Sequence, residues 1–197
     1  YEIRLCDWSS DVCSSDLNQG ETPLGVLRVS ATMTFGRLYV APLLAKVVAE
    51  HPGLTGELIL TDRVIDLEAE DIDLALRMTR MPPQDAVVRR LATLDRLICA
   101  SPAYLAAHGT PAPPADLAQH RCIQLRFGSG ALYRWEFAER RRIVALAVRG
   151  TLVVNHWNAM VAAAAQGVGV CHVLPASAEP FVRDGRLVEV LSRFSPG

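Results

Sequence analysis

Gly25–Leu54, which reads GVLRVSATMTFGRLYVAPLLAKVVAEHPGL, gives the clearest indication of the fold class. Residues 24–30 (LGVLRVS) have the composition of a strand, and residues 35–50 place apolar side chains three and four positions apart, as one helix face requires. Residues 51–53 (HPG) end the helix. Residues 54–61 predict a second strand. This order of elements indicates an α/β fold with parallel strands.

The next segment extends the same pattern. Arg63–Glu70 predicts a short amphipathic helix, and Ile72–Met78 predicts a third strand. Met81–Asp85 (MPPQD) is predicted to be a loop, and Val87–Leu94 a further strand. Two crossovers between neighbouring strands imply a parallel sheet.

The second half of the chain repeats the alternation with shorter strands. Leu97–Ala100 predicts a strand that leads into a helix over Pro102–His108, because Ser101 before a proline is a strong helix start. An Ala-rich helix is predicted over Asn155–Gln166, with its first residue as the N-cap. Strands are also predicted over 121–125, 132–137, 143–148, 151–154, 168–173 and 187–191, with a short helix over 177–182. These elements predict a second lobe with Trp135 in its core.

Residues 1–17 (YEIRLCDWSSDVCSSDL) differ from the rest. They show neither helical nor strand periodicity and lack the layout of a signal peptide. They resemble the in-frame translation of a sequencing-library adapter, with a variable index over Arg4 and Leu5. We therefore expect them to be an assembly artefact that is foreign to the native protein and does not pack.

The composition argues against several classes of protein. The 197 residues are 50% hydrophobic and 21% charged, with a formal net charge of −1, which is typical of a folded globular protein. No apolar run approaches the ~20 residues of a membrane helix, so no membrane association is expected. The near-neutral charge argues against a free-standing nucleic-acid binder. After residue 17 the cysteines are Cys99, Cys122 and Cys171, without CxxC spacing, which favours a reducing cytoplasm over a disulfide framework.

The sequence lacks the common motifs of catalytic sites. It contains no Gly-x-Ser-x-Gly elbow, phosphate-binding loop, HExxH motif or strand-linked Gly-x-Gly-x-x-Gly. We therefore expect neither an enzyme nor a cofactor. His172 beside Cys171 suggests a ligand pair, but adjacent strand residues point to opposite faces, so no metal site is expected.

Five stretches, in this order, resemble one known family. They are GVLRVSATMTFGRLYVAPLLAKVVAEHPGL, DRVIDLEAEDIDLALRM, ASPAYLAAHGTPAPPADLAQHRCI, AAAAQGVGVCHVLP and GRLVEVL. Together they resemble the effector-binding domain of LysR-type transcriptional regulators over Glu21–Leu191. The resemblance implies a two-lobed, periplasmic-binding-protein-like (type 2) α/β fold, with mixed sheets, a hinge of two crossing strands and a small-molecule cleft between the lobes.

The resemblance also implies domain boundaries. Residues 18–23 would be the end of a linker, residues 24–96 and 175–197 would form lobe I, and residues 97–174 would form lobe II. Family members begin with a winged helix-turn-helix and a linker helix, and they continue past residues 187–191 with a further strand and a helix. We therefore expect a fragment truncated at both ends.

The same resemblance implies partners. The intact protein would be a cytoplasmic homodimer or homotetramer that binds a small-molecule effector. It would contact operator DNA only through the missing N-terminal domain.

Candidate effector residues follow from the strand order, since open α/β sheets bind ligands beyond the carboxyl ends of their strands, where helix N-termini point amide groups. The residues themselves point to the loop after the first strand and to the start of the Ala-rich helix, and the resemblance adds other cleft-lining positions. The full set is Ser30, Thr32, Met33, Thr34, Thr61, Ser101, Arg126, Phe127, Ser129 and Asn155. Hydroxyls and helix N-termini favour a small anionic metabolite. Thr34 and Asn155 could equally be helix caps, and Arg77 is expected in a buried ion pair outside the site.

One alternative function stays open at this point. A periplasmic solute-binding protein of a transporter shares the fold, but it would need an export signal and is usually longer.

Overall fold

The computed structural model of this chain describes residues 2–7, 23–63, 65–79, 87–128, 130–139 and 142–195. They divide into two compact units, Tyr1–Leu94 and Asp95–Gly197. Both units combine helices with β-sheets, which confirms the predicted α/β class. None of the helices in the described part of the chain has the length and apolar character to cross a membrane. The predicted loop over Met81–Asp85 lies outside the described residues.

The first unit is built on one five-stranded sheet. Its strands are β1 (Glu2–Asp7), β2 (Gly25–Ala31), β3 (Leu54–Leu60), β4 (Leu74–Thr79) and β5 (Val87–Thr93). They lie in the order β3-β2-β4-β1-β5, and β2 pairs in parallel with both β3 and β4. The parallel sheet predicted for these three strands is therefore confirmed.

The connection between β2 and β3 is helical from end to end. It comprises α1 (Met33–Phe35), a π-helical turn (Gly36–Val40) and α2 (Ala41–Glu50). The turn packs so closely on the sheet that a Cβ at Gly36 would collide with the side chain of Leu60. Glycine at this position lets the helix begin directly above the ends of β2 and β3.

The helix predicted over Arg63–Glu70 is wrong for the residues that the structure describes there. They form turns, in which the Asp66 carboxylate accepts hydrogen bonds from the amides of Glu68 and Ala69, each at 3.1 Å. An aspartate that bonds its own following amides offers the backbone an alternative to a helix. Asp71 then leaves the turn with a φ of 54°.

Residues 2–7 form a paired strand, which contradicts, for these six residues, the expectation that residues 1–17 do not pack; residues 1 and 8–17 lie outside the described part of the chain. β1 pairs antiparallel with β4 on one side and with β5 on the other. Strands β4 and β5 offer backbone donors and acceptors to any extended segment between them, and such edges attract a strand. Ile3 and Leu5 do alternate with Glu2 and Arg4, but this pattern is too short to indicate a strand in the sequence.

The described residues of the second unit form three small sheets. Its strands are β6 (Leu97–Ala100), β7 (Ile123–Leu125), β8 (Trp135–Glu139), β9 (Arg142–Leu146), β10 (Leu152–Val154), β11 (Cys171–Val173) and β12 (Val188–Glu189). The central β6 pairs antiparallel with β11 and β12, β10 pairs in parallel with β7, and β8 forms a hairpin with β9. The predicted fold with mixed sheets is thus present within the described residues.

Helices cover these sheets. They are α3 (Pro102–His108), α4 (Trp157–Ala165) and α5 (Pro175–Arg183), with 3-10 turns at Pro114–Gln119 and Ser192–Phe194. Trp135 is fully buried, which confirms its predicted place in the core, together with Phe137 and Met160.

The C-terminal residues contact the segment that begins the second unit. β12 pairs with β6, and the hydroxyl of Ser195 donates to the carbonyl oxygen of Arg96 at 3.0 Å. Both contacts are made within the second unit. The assignment of residues 24–96 and 175–197 to lobe I and of residues 97–174 to lobe II stays a prediction.

Candidate functional site

Predicted site residues of the first unit lie together at one edge of its sheet. β2, β3 and β4 are parallel, so their carboxyl ends meet at the same edge. Ser30 lies near the end of β2 and is fully buried, and Thr61 directly follows β3. The amide of Thr61 donates to the carbonyl oxygen of Ala31 at 2.9 Å, which fixes these two strand ends side by side.

Arg77 belongs to this cluster, although from the sequence it is expected outside the site. Its Nη2 donates to the Ser30 hydroxyl at 2.6 Å, and its Nη1 donates to the Thr61 carbonyl oxygen at 2.8 Å. Ser30 pairs with Ala75 on β4, and Arg77 lies two residues further on the same face. That register is set by pairing between distant segments, so the sequence by itself carries no signal that identifies Arg77. A partly exposed guanidinium therefore connects the ends of three strands.

The start of the helix supplies the other groups. Thr32 is the N-cap, with an extended backbone, and its side chain makes no capping hydrogen bond. Thr34 is 2% exposed, and its hydroxyl has no hydrogen-bond partner among the described residues. Thr34 therefore does not cap the helix, which was the alternative role that the sequence allowed for it. The hydroxyl groups of Thr32 and Thr34, beside the strand ends, therefore have no capping role.

A carboxylate already lies at this helix start. The amide of Met33 donates to Oδ1 of Asp62 at 3.0 Å. The positive end of a helix dipole favours such an anion. A ligand carboxylate that used the Met33 amide would have to replace Asp62.

Two predicted residues of the second unit follow paired strands. The parallel β7 and β10 end at Leu125 and Val154, which are register partners. The amide of Arg126 donates to the carbonyl oxygen of Val154 at 2.7 Å, so Arg126 and Asn155 leave adjacent strand ends. Both side chains belong to exposed residues.

Loop contacts already involve both Arg126 and Phe127. Nη1 of Arg126 donates to the Gly130 carbonyl oxygen at 2.9 Å. The ring of Phe127 meets that of Tyr133 edge-on, with centroids 5.8 Å apart. Ser129, which follows Arg126 and Phe127 in the predicted set, lies outside the described residues.

Helix capping distinguishes Ser101 from Asn155. The Ser101 hydroxyl accepts from the amide of Tyr104 at 3.2 Å, which confirms the predicted helix start. Asn155 does not cap α4, because His156 is its N-cap and accepts through Nδ1 from the amide of Asn158 at 3.2 Å. The Asn155 side chain is therefore not used by the helix, whereas Ser101 is 4% exposed and already has a donor.

A buried cation and a buried histidine lie in the core of the second unit. The Arg96 guanidinium lies 4.5 Å from the centroid of the Trp157 ring and 5.2 Å from that of Tyr133. Burial, and then repulsion from Arg96, lower the pKa of His172 to about 3. His172 is therefore neutral at pH 7, and it packs between the rings of Trp135 and Phe137.

Metal chemistry finds no support in the described part of the chain. No group of three or more His, Cys, Asp or Glu side chains there could hold a metal ion. Cys171 does not pair with the adjacent His172, because its sulfur faces that of Cys99.

Comparisons with known proteins identify the family. The family model of the LysR substrate binding domain matches residues 20–196. The DmlR regulator of Escherichia coli K12, an HTH-type transcriptional regulator, is 30% identical over 200 residues, which cover 97% of this chain and 64% of that protein. The HTH-type transcriptional regulator YcaN of the same strain, described as uncharacterized, is 29% identical over 175 residues, covering 88% of this chain and 57% of that protein.

A solved structure supports the same conclusion. The regulatory domain of CrgA, a LysR-type transcriptional regulator from Neisseria meningitidis, superposes with a TM-score of 0.74 at 26% identity, over 88% of this chain and 84% of that domain. The chain spans about 60% of the length of the curated regulators it matches. It belongs to the LysR substrate-binding domain family and has the fold of the effector-sensing regulatory domain of a LysR-type regulator.

Proposed function

We propose that this domain senses a small anionic metabolite within a longer, DNA-binding LysR-type regulator. The observation that carries the proposal is the polar cluster at the carboxyl ends of β2, β3 and β4, formed by Ser30, Thr61 and Arg77. Parallel sheets bind ligands at this edge. The family match of residues 20–196 supports a sensing role for the domain as a whole.

The anionic character of the ligand follows from the groups that face the strand ends. Arg77 carries a positive charge that planar carboxylates and phosphates match well. The helix start beside it attracts a carboxylate, as Asp62 illustrates. The hydroxyls of Thr32 and Thr34 add donors that the helix itself does not use.

The partners and the setting belong to the same proposal. The relatives named above are transcriptional regulators, so operator DNA would be contacted by a segment outside the matched domain, in a homodimer or homotetramer. We place the protein in the cytoplasm, where it acts by binding and not by catalysis. A ligand that binds one arrangement of the regulator more tightly than another, by a few kcal/mol, would be enough to couple binding to transcription.

The proposal is tested by isothermal calorimetry of the chain against a panel of small dicarboxylates, hydroxycarboxylates and matched neutral amides. Thr32→Val removes a hydroxyl while keeping the side-chain shape, and it should weaken binding of the preferred acid by about 1–2 kcal/mol. Arg77→Gln should abolish the preference for the acid over its amide. Thr55→Val, at an exposed position of β3, is the matched control and should bind like the wild type.

Two results would overturn these assignments. Equal affinity of the Thr32→Val variant and the wild type would remove Thr32 from the site. Binding of the neutral amides alone would remove the anionic ligand. The alternative from the sequence, a periplasmic solute-binding protein, leads to a different expectation. Its full-length gene product would bind the ligand, but the ligand would not change the affinity of that product for operator DNA.

A further inference from the structure

Two cysteines of the second unit face each other across neighbouring strands. Cys99 of β6 and Cys171 of β11 are direct partners in an antiparallel pair. Their sulfur atoms are 3.3 Å apart. Directly opposed residues of antiparallel strands have Cα atoms roughly 4.5–5.5 Å apart, and disulfides bridge Cα atoms about 4.4–6.8 Å apart. The backbone is therefore already placed for a bond between the two sulfurs.

The environment of Cys99 and Cys171 determines the reactivity of their thiols. Both residues are fully buried. Their mutual hydrogen bond, and then burial, raise the pKa of Cys171 well above its usual value. A buried thiol of this kind is a poor nucleophile while the strands stay paired. β11 has only three residues, so a local opening of the β6–β11 pair would expose both thiols together.

We propose that Cys99 and Cys171 form an oxidation site, at which a hydroperoxide converts the two thiols into a cross-strand disulfide. The sulfur of one cysteine attacks the terminal oxygen of the hydroperoxide, the O–O bond breaks, and an alcohol leaves, or water in the case of hydrogen peroxide. The resulting sulfenic acid is attacked by the second sulfur, the S–O bond breaks, and water leaves with the proton of the second thiol. Two thiols are oxidised and one hydroperoxide is reduced.

The third buried cysteine provides a natural contrast. The Cys122 thiol faces backbone carbonyl oxygens of Leu117 and His120, each at 3.9 Å, in place of another sulfur. Burial raises its pKa to about 12. Cys122 therefore shares the burial of the pair but not its geometry.

The bond would change the part of the molecule that carries the second set of candidate effector residues. It would close a loop from residue 99 to residue 171, and both Arg126 and Asn155 lie inside that loop. Ser101, the cap of α3, follows Cys99 by two residues. The oxidation site stands independently of the proposed ligand, because it rests on the β6–β11 register and on the distance between the two sulfur atoms.

The test treats the whole chain with hydrogen peroxide or tert-butyl hydroperoxide, alkylates the remaining thiols after unfolding, and maps the peptides by mass spectrometry. We expect one linked peptide pair, Cys99 with Cys171, that has lost two hydrogen atoms and is restored by dithiothreitol. The pair should form equally in Cys122→Ala and should form faster in urea below the unfolding midpoint. Oxidation should raise the Tm of the wild type and of Cys122→Ala, but not that of Cys171→Ser.

The wild-type peptide map decides the proposal even if a cysteine variant fails to fold. Recovery of Cys99 and Cys171 as alkylated thiols after treatment in sub-denaturing urea would overturn it. Linkage of either residue to Cys6, Cys13 or Cys122, or its accumulation as sulfinic acid, would overturn it as well.

Discussion

The two units differ in what their strand-end polar groups already do. In the first unit, the helix uses neither the Thr32 nor the Thr34 hydroxyl, and Arg77 gathers the ends of three strands. In the second unit, Ser101 caps a helix and Arg126 bonds its own loop. Similar sequence positions therefore do not imply similar capacity to bind a ligand. The capacity to bind a ligand depends on whether the polar side chain already makes a hydrogen bond to the local backbone.

The units differ in their cores as well. The largest fully buried side chains among the described residues, including Trp135, Phe137 and Leu174, all belong to the second unit. In the first unit the large buried side chains, such as Phe35 and Leu44, keep 6% and 9% of their surface exposed, and the fully buried ones, such as Ala31 and Ala75, are small. We therefore expect the second unit to depend more strongly on single core side chains.

The largest expected effect tests the core of the second unit. Trp135→Ala should lower the free energy of unfolding of the second unit by about 3–5 kcal/mol, since it opens a cavity at a fully buried position. Ile143→Ala, at a side chain that is 64% exposed, should cost less than about 0.5 kcal/mol. Urea unfolding followed by circular dichroism measures both. Equal losses in the two variants would contradict the assignment of the core.

Acid should also affect the second unit through His172. The folded-state pKa of about 3 lies below the usual 6.5, so the unfolded chain takes up the proton first as pH falls. The contribution of neutral His172 is fully present above pH 6.5 and is lost progressively down to about pH 3. The expected slope in this window is about 1.4 kcal/mol per pH unit.

Urea midpoints at pH 7, 6 and 5 check this slope, with His172→Gln as the comparison. The variant should be less stable at pH 7 and should lose less stability on acidification than the wild type. An identical pH profile in both proteins would exclude His172 as the titrating group.

The sequence was sufficient for the features that local patterns determine. β2, the helix from Met33 to Glu50 and the serine cap of α3 follow from apolar spacing and from residues whose backbone preference is strong. The helix predicted over residues 63–70 failed because the Asp66 side chain competes for backbone amides.

The remaining features depend on contacts distant in the chain. Arg77 reaches Ser30 across 47 residues, and Cys99 meets Cys171 across 72 residues. The pairing of β12 with β6 is equally remote in sequence. A period of two or 3.6 residues carries no information on which strand lies beside which, so neither the Arg77 cluster nor the cysteine pair could be predicted.

Removal of the Ser30 and Thr32 hydroxyls should affect the stability of the first unit to different extents. Ser30→Ala should lower the stability of this unit by about 1–2 kcal/mol, because the Arg77 guanidinium loses its buried acceptor at 2.6 Å. Thr32→Val should change stability by less than about 0.5 kcal/mol, since the hydroxyl caps nothing. Amide hydrogen exchange of β2 and β4 measures the difference. A larger loss in Thr32→Val than in Ser30→Ala would reverse the roles given to the two hydroxyls.

The smallest effect separates two helix starts of the second unit. Ser101→Ala removes the acceptor for the Tyr104 amide and should cost about 1 kcal/mol, the usual contribution of an N-cap. Asn155→Ala should cost less than about 0.5 kcal/mol, because the cap of α4 is His156 and the Asn155 side chain is exposed. Thermal unfolding of both variants beside the wild type gives the comparison. Because Asn155 contributes nothing to the helix, any loss of ligand affinity in Asn155→Ala at unchanged Tm would come from a direct contact with the ligand. A drop in Tm as large as that of Ser101→Ala would instead restore Asn155 as the cap and remove this argument for its role in binding.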